Sequence, residues 1–279
     1  MKKIYCTILA ILLIAGMSQA SPLLWRGART MSSGKFIGML GLSYTTICKG
    51  YNWTDEEWTD LPDASKTDVI GAHFMLGYAP MDKWEVMAHI PVMSKSKDTL
   101  SSFGLQDAWI KTRYGLMGGK DQPYLTGVLG FRFPTSSKDA SPALDDRTID
   151  IAGGLLFMYK MAPMVLHLKA GYWYNMKNDA EIDVGDIFEG IFKIDYIFTK
   201  QFKAFLNFNL MQTLAAKDST GATIEHTDKT RLNIIPGVIF KPMPGLNLRP
   251  KFIYPLEMVN KGGSNFAWKV GFDVWFVPK

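Results

Sequence analysis

From Asn265 to Phe276 the side chains alternate in character. Phe266, Trp268, Val270, Phe272, Val274 and Phe276 fall on one face, and Asn265, Ala267, Lys269, Gly271, Asp273 and Trp275 on the other. A period of two over twelve residues is a β-strand with one apolar and one polar face. Its length is long for a globular strand and suits a tilted membrane crossing.

The pattern recurs. Phe202, Ala204, Leu206, Phe208 and Leu210 alternate with Gln201, Lys203, Asn207 and Asn209, and Phe188, Phe192, Ile194 and Tyr196 with Glu189, Lys193 and Asp195. Leu166, Leu168, Ala170, Tyr172 and Tyr174 alternate with His167, Lys169, Trp173 and Asn175, and Ala108, Ile110, Tyr114 and Leu116 with Asp107, Lys111 and Arg113. The whole chain reads as strands near 34–47, 68–79, 84–93, 104–116, 123–134, 147–159, 164–175, 185–198, 201–213, 229–241, 246–256 and 265–276. Connections alternate in length. Those at 80–83, 117–122, 160–163, 199–200 and 242–245 are short, while 48–67, 94–103, 135–146, 176–184, 214–228 and 257–264 are longer. Pro91, Pro236 and Pro250 fall mid-strand, where each removes a ladder donor and marks a bulge or an edge.

The first twenty residues read as an export leader. Lys2 and Lys3 precede the apolar run 4–17, and Ser18-Gln19-Ala20 supplies small residues for cleavage after Ala20. Cys6 lies within that run, away from any lipid-attachment position, and Cys48 is then the one cysteine left, so no internal disulfide is expected. No later apolar run reaches eighteen residues, which excludes a helical membrane protein. The net charge of +5 falls to +3 without the leader, too modest to indicate nucleic-acid binding.

Unpaired backbone groups cost several kcal/mol each in lipid, so a membrane-crossing sheet must close on itself. These observations predict an all-β, antiparallel transmembrane β-barrel of about 12 strands. Residues 1–20 are the signal peptide, 21–33 a short periplasmic N-terminal segment, and 34–279 the barrel. Short turns and both termini face the periplasm, long loops the exterior. Tyr44, Tyr78, Trp84, Tyr114, Tyr159, Tyr174, Tyr196, Tyr254 and Phe276 fit interfacial girdles. Residues 21–34 are too few for a separate plug domain, although an inward kink or loop could gate a pore.

Particular motifs carry a resemblance. Gly34-Lys35-Phe36 opens the first strand; Gly77-Tyr78-Ala79-Pro80-Met81-Asp82-Lys83-Trp84-Glu85-Val86 forms a hairpin that ends at Ile90-Pro91-Val92. Phe103-Gly104-Leu105-Gln106-Asp107 leads to Lys111-Thr112-Arg113-Tyr114, and Gly130-Phe131-Arg132-Phe133-Pro134-Thr135 ends a later strand. In this order the segment 34–135 resembles the outer-membrane transporter family labelled for the "MetA pathway of phenol degradation". The chain departs from that pattern in having one glycine before Asp107, Ser136 after Pro134-Thr135, and Val277-Pro278-Lys279 beyond Phe276. The resemblance implies an outer-membrane barrel tied to uptake of small organic compounds.

The inward face carries Lys35, Lys111, Arg113, Arg132, Lys169, Lys193, Lys203, Arg231, Arg249, Lys251 and Lys269 against Glu85, Asp107, Asp150, Glu189, Asp195 and Asp273. Such charges either pair and fill the barrel or line a water-filled path that favours anions. The reading is an outer-membrane channel for passive or gated uptake of small organic solutes, aromatic or anionic in character, through this net-basic lumen. The alternative is a closed barrel acting as a lipid-modifying enzyme or as a structural or adhesive protein, with the acidic, aromatic loop Tyr51–Trp58 as its contact surface. Expected partners are outer-membrane lipid, the small organic solute and the barrel-assembly machinery. No catalytic residue, cofactor or metal is assigned, since no nucleophile falls beside a histidine. His73 and His89 lie on the two arms of one hairpin and are expected to face each other in the lumen.

Overall fold

The computed structural model describes residues 22–119 and 122–277, so the leader, Ala20 and the last two residues lie outside the described residues. Fourteen strands form in chain order: β1 (Phe36–Asn52), β2 (Glu57–Asp60), β3 (Thr67–Met81), β4 (Trp84–Lys97), β5 (Leu100–Leu105), β6 (Ala108–Met117), β7 (Tyr124–Phe133), β8 (Asp150–Met161), β9 (Met164–Asn175), β10 (Ile187–Ile197), β11 (Phe202–Thr213), β12 (Lys229–Met243), β13 (Leu246–Pro255) and β14 (Ser264–Phe276). Neighbouring strands pair antiparallel, and β14 returns to β1 from Gly38↔Phe276 to Gly50↔Ser264, which closes the sheet. Twelve strands make the wall; β2 folds back on the tip of β1, and β5 pairs with the outer end of β4. The fold is a closed antiparallel transmembrane β-barrel, and its tight turns share one end with the start of β1 and the end of β14.

The alternation places apolar side chains outward. Leu76, Ile90, Tyr114, Leu155, Leu168, Phe192 and Trp268 are exposed on the outer surface, as a lipid-facing band requires. The girdle aromatics Tyr78, Tyr159, Tyr174, Tyr196, Tyr254 and Phe276 are exposed there too.

Four expectations change. The strand expected over 104–116 is two strands, because the chain breaks at Gln106-Asp107. β4 pairs with β6 as far as His89↔Trp109 and with β5 from Val92↔Leu105, and Pro91, which has no N–H to offer, sits at that change of partner. The loop expected over 48–67 instead carries the end of β1 and the hairpin to β2. Phe266 does not share the outward face of Trp268. Between Thr45↔Lys269 and Ile47↔Phe266, β14 advances one residue more than β1, and this bulge flips the phase so that Phe266 lines the lumen. Finally, residues 22–31 do more than precede the first strand. They turn into the barrel, where Leu23, Leu24, Ala28 and Met31 are buried.

One seam of the wall is thin. β11 and β12 pair continuously from Phe202↔Phe240 to Thr213↔Lys229. β12 and β13 pair at Asn233↔Pro255, Ile234↔Tyr254, Gly237↔Lys251, Phe240↔Leu248 and Met243↔Leu246. Pro236 and Pro250, on adjoining strands, withdraw donors from this stretch.

Candidate functional site

The lumen is built around the N-terminal strap. Inward positions of β7, β8 and β9 carry Gly130, Gly154 and Gly171, and a Cβ on Gly130 or Gly171 would lie 3.0 Å from Leu23. A Cβ on Gly154 would lie 3.3 Å from Leu24 and 2.6 Å from the Ala170 carbonyl. Strand glycines here let another backbone approach, and Leu23 and Leu24 fill the resulting groove against Val128, Ala152 and Leu156. Met31 packs on a second apolar patch of Ile37, Met39, Met75 and Met87.

Barrel charges satisfy the strap's backbone. Lys169 Nζ donates to the Leu24 carbonyl at 2.7 Å and Lys111 Nζ to that of Leu23 at 3.5 Å. Arg113 donates to the Gly27 carbonyl and Thr126 to that of Ala28. Glu85, fully buried, accepts from Arg26 at 2.7 Å, from Arg113 at 2.8 Å and from the Met31 amide. A chain segment inside a barrel without a partner strand has no ladder, so its carbonyls need side-chain donors; three of the lumen-lining candidates supply them.

Trp25 packs against both histidines, and the three rings form a triangle. Its ring centroid is 4.9 Å from that of His73 and 4.8 Å from that of His89, and the histidine rings lie 5.6 Å apart. Trp25 and His73 line two separate cavities, an outer one of about 380 Å³ and an inner one of about 280 Å³. Both cavities meet the strap at Trp25.

The inner chamber meets Lys193, which pairs with Asp195 at 2.6 Å, and Lys251, which pairs with Asp273 at 2.6 Å. Arg249 lies over Phe205 at 5.6 Å and Trp275 at 5.4 Å. Glu189 is buried beside Lys169, and Lys203 is half-buried on β11 close to Lys193. The outer chamber meets Arg132, Arg231 and Lys269. It is walled by Trp109, Trp173 and Phe266, the two indoles meeting edge to face at 4.3 Å.

Arg132 binds Asp146 at 3.0 Å, Asp145 at 3.6 Å and Asp150. Asp107, Asp145 and Asp146 bring carboxylate oxygens within 4.8 Å of one another. The guanidinium supplies counter-charge to this cluster. Burial and the neighbouring Asp146 nevertheless push the Asp145 carboxyl up to about 7.

His167 Nε2 lies 3.2 Å from Asp195, a base beside its orienter. Its Nδ1 is buried without a hydrogen-bond partner among the described residues, and Gly27 packs against that edge of the ring. A nucleophile would have to occupy that edge for acyl-transfer chemistry.

Sequence reasoning missed the strap, together with Trp25 and Glu85 as organising residues. The readable signal was the coincidence of inward glycines on three successive strands with an apolar Leu23-Leu24-Trp25 directly after the leader.

No family model matches the sequence. Among curated proteins none matches either. The fold is similar to solved structures. The COG4313 outer membrane channel from Pseudomonas putida F1 superposes with a TM-score of 0.76 at 12% identity, over 94% of this chain and 100% of that one. The translocator domain of the autotransporter NalP from Neisseria meningitidis gives 0.51 at 9% identity, over 99% and 96%. The NanC porin gives 0.51 at 8%, over 85% and 98%. At these identities the likeness is one of fold: this chain is built as an outer-membrane β-barrel.

Proposed function

We propose that this protein is an outer-membrane channel for uptake of small organic solutes, closed at rest by its own N-terminal strap. The observation that carries the reading is the strap inside the barrel, whose Trp25 stands where an outer and an inner chamber meet. A filled structural barrel has no need of a roomy outer cavity, and a plain porin has no need of a partition. The outer cavity has the size and the mainly apolar lining, with a few converging polar groups, that small-molecule sites show. A solute would enter it from the long-loop side. Movement of the strap would then join the chambers and pass the solute along Lys193, Arg249 and Lys251 to the periplasmic mouth. The fold likeness to a solved outer membrane channel supports this reading. Outer-membrane lipid around the barrel, cleavage after Ala20 and insertion by the barrel-assembly machinery belong to the same proposal.

Osmotic swelling of proteoliposomes tests it. The mature protein should pass small sugars and sodium benzoate slowly, and a variant lacking residues 22–31 should pass them several times faster. A correctly folded deletion variant as tight as protein-free liposomes would overturn the proposal. Hydrolysis of lipid or ester by the purified protein would instead favour an enzyme.

A further inference from the structure

We infer that the outer chamber is a receptor for small aromatic carboxylates, in which Lys269 and Arg231 bind the carboxylate and Phe266, Trp109 and Trp173 wall the ring. The inference rests on the uptake reading and names the solute class of that site.

Lys269 is buried at 4% exposure on β14 and lines the outer chamber. The charged groups acting on it are Lys251 and Arg231, both cations. Arg231, on β12, donates to the Ser264 carbonyl at 3.4 Å, and no ion pair joins it to a carboxylate among the described residues. Other lumen cations are satisfied differently: Lys193 and Lys251 each hold an aspartate, Arg132 holds three, and Lys111 and Lys169 hold strap carbonyls. Asp145 and Asp150 also line the chamber but are held by Arg132, so two cations that face the same cavity without an acid partner of their own are costly to bury. An anion in the cavity offsets that cost, and a guanidinium beside an ammonium suits the two oxygens of a carboxylate.

The chamber's other wall fixes the rest of the ligand. Phe266 is brought inward by the β14 bulge and lies 6.0 Å below the Lys269 ammonium. The Trp109–Trp173 pair faces the same space. An inorganic anion makes no use of these rings, and a neutral hydrocarbon makes no use of the cations. A benzoate-like molecule uses both.

Titration calorimetry of the purified mature protein in detergent, with benzoate, benzyl alcohol and acetate as probes, tests the inference. Benzoate should bind saturably and at least about tenfold more tightly than either of the others, as a charge-assisted hydrogen bond in a dry site implies. K269Q and R231Q should each weaken benzoate by about tenfold and leave benzyl alcohol unchanged. Heat-modifiable mobility identifies folded variants, and the wild-type comparison of benzoate with benzyl alcohol needs none. Equal or weaker binding of benzoate, or acetate binding as well as benzoate, overturns the receptor. If strap-deleted liposomes then still pass small sugars, the uptake reading stands without it. If they pass no solute while benzoate binds through Lys269 and Arg231, the receptor stands and the uptake reading falls.

Discussion

The two sides of the lumen use similar residues for different ends. Along β4 and β6–β9, inward charges and glycines are committed to the strap: Glu85, Lys111, Arg113 and Lys169 bond it, and Gly130, Gly154 and Gly171 make room for it. Along β10–β14, the basic residues pair with Asp195 and Asp273, stack on Phe205 and Trp275, or face open space. The wall follows the same division, since β7, β8 and β9 pair continuously whereas β12 and β13 do not. The comparison teaches that a net-basic lumen is not one property. Lys111, Arg113 and Lys169 hold the strap, Lys193, Lys251 and Arg132 hold aspartates, and Lys269 and Arg231 face the outer chamber without an acid partner.

The largest effect is expected at the partition's anchor. Glu85→Gln leaves Arg113 and Arg26 without their shared carboxylate, and breaking a buried pair costs about 3–5 kcal/mol. The heat-modifiability midpoint should fall and channel activity should rise. An unchanged midpoint would mean the strap is not held there. Gly171→Val should act on the strap more selectively, because the added methyls meet Leu23 and Leu24, each worth about 2 kcal/mol when buried. The barrel should still form, with increased conductance and protease access to the N-terminus. Trp25→Ala should join the chambers without releasing the strap, giving a smaller gain in conductance, read in single channels. On the opposite side, Arg249→Gln in a strap-deleted barrel should move the reversal potential toward zero and leave stability nearly unchanged.

The smallest effect concerns the outer loop. The Asp145 carboxyl sits above its unfolded value, at about 7, so the protonated form favours the folded loop. That contribution is fully present below pH 4 and fades as pH rises through 7. Hydrogen exchange of residues 134–149, corrected for intrinsic rate, should therefore be slower at pH 5 than at pH 8. The reverse order would show that Arg132 dominates the cluster.

The wall was legible because lipid outside and water inside force a period of two on every strand. Length asymmetry of the turns marked the end that carries both termini of the sheet. Phe266 was misplaced because alternation cannot register a bulge, which shifts the phase without altering composition. The split at Gln106-Asp107 is a phase break of the same kind: Phe103 and Leu105 face outward from odd positions, Ile110 and Tyr114 from even ones, and the two strands pair with different stretches of β4. The strap was illegible because an isolated segment that opens on a single 3-10 turn has no partner strand and hence no period of two. Its requirements are written elsewhere, in Glu85, Arg113 and three glycines distant in sequence. His73 and His89 could be placed together because a hairpin fixes their register, but nothing local to them announced the Trp25 ring packed against both.

The most direct test is single-channel recording in planar bilayers under a salt gradient, comparing the mature protein with a variant lacking residues 22–31. The account predicts rare or absent steps for the mature protein, and frequent discrete steps with anion preference once the strap is gone. Equal, steady conductance from both proteins, or a cation preference in the deletion variant, would contradict it.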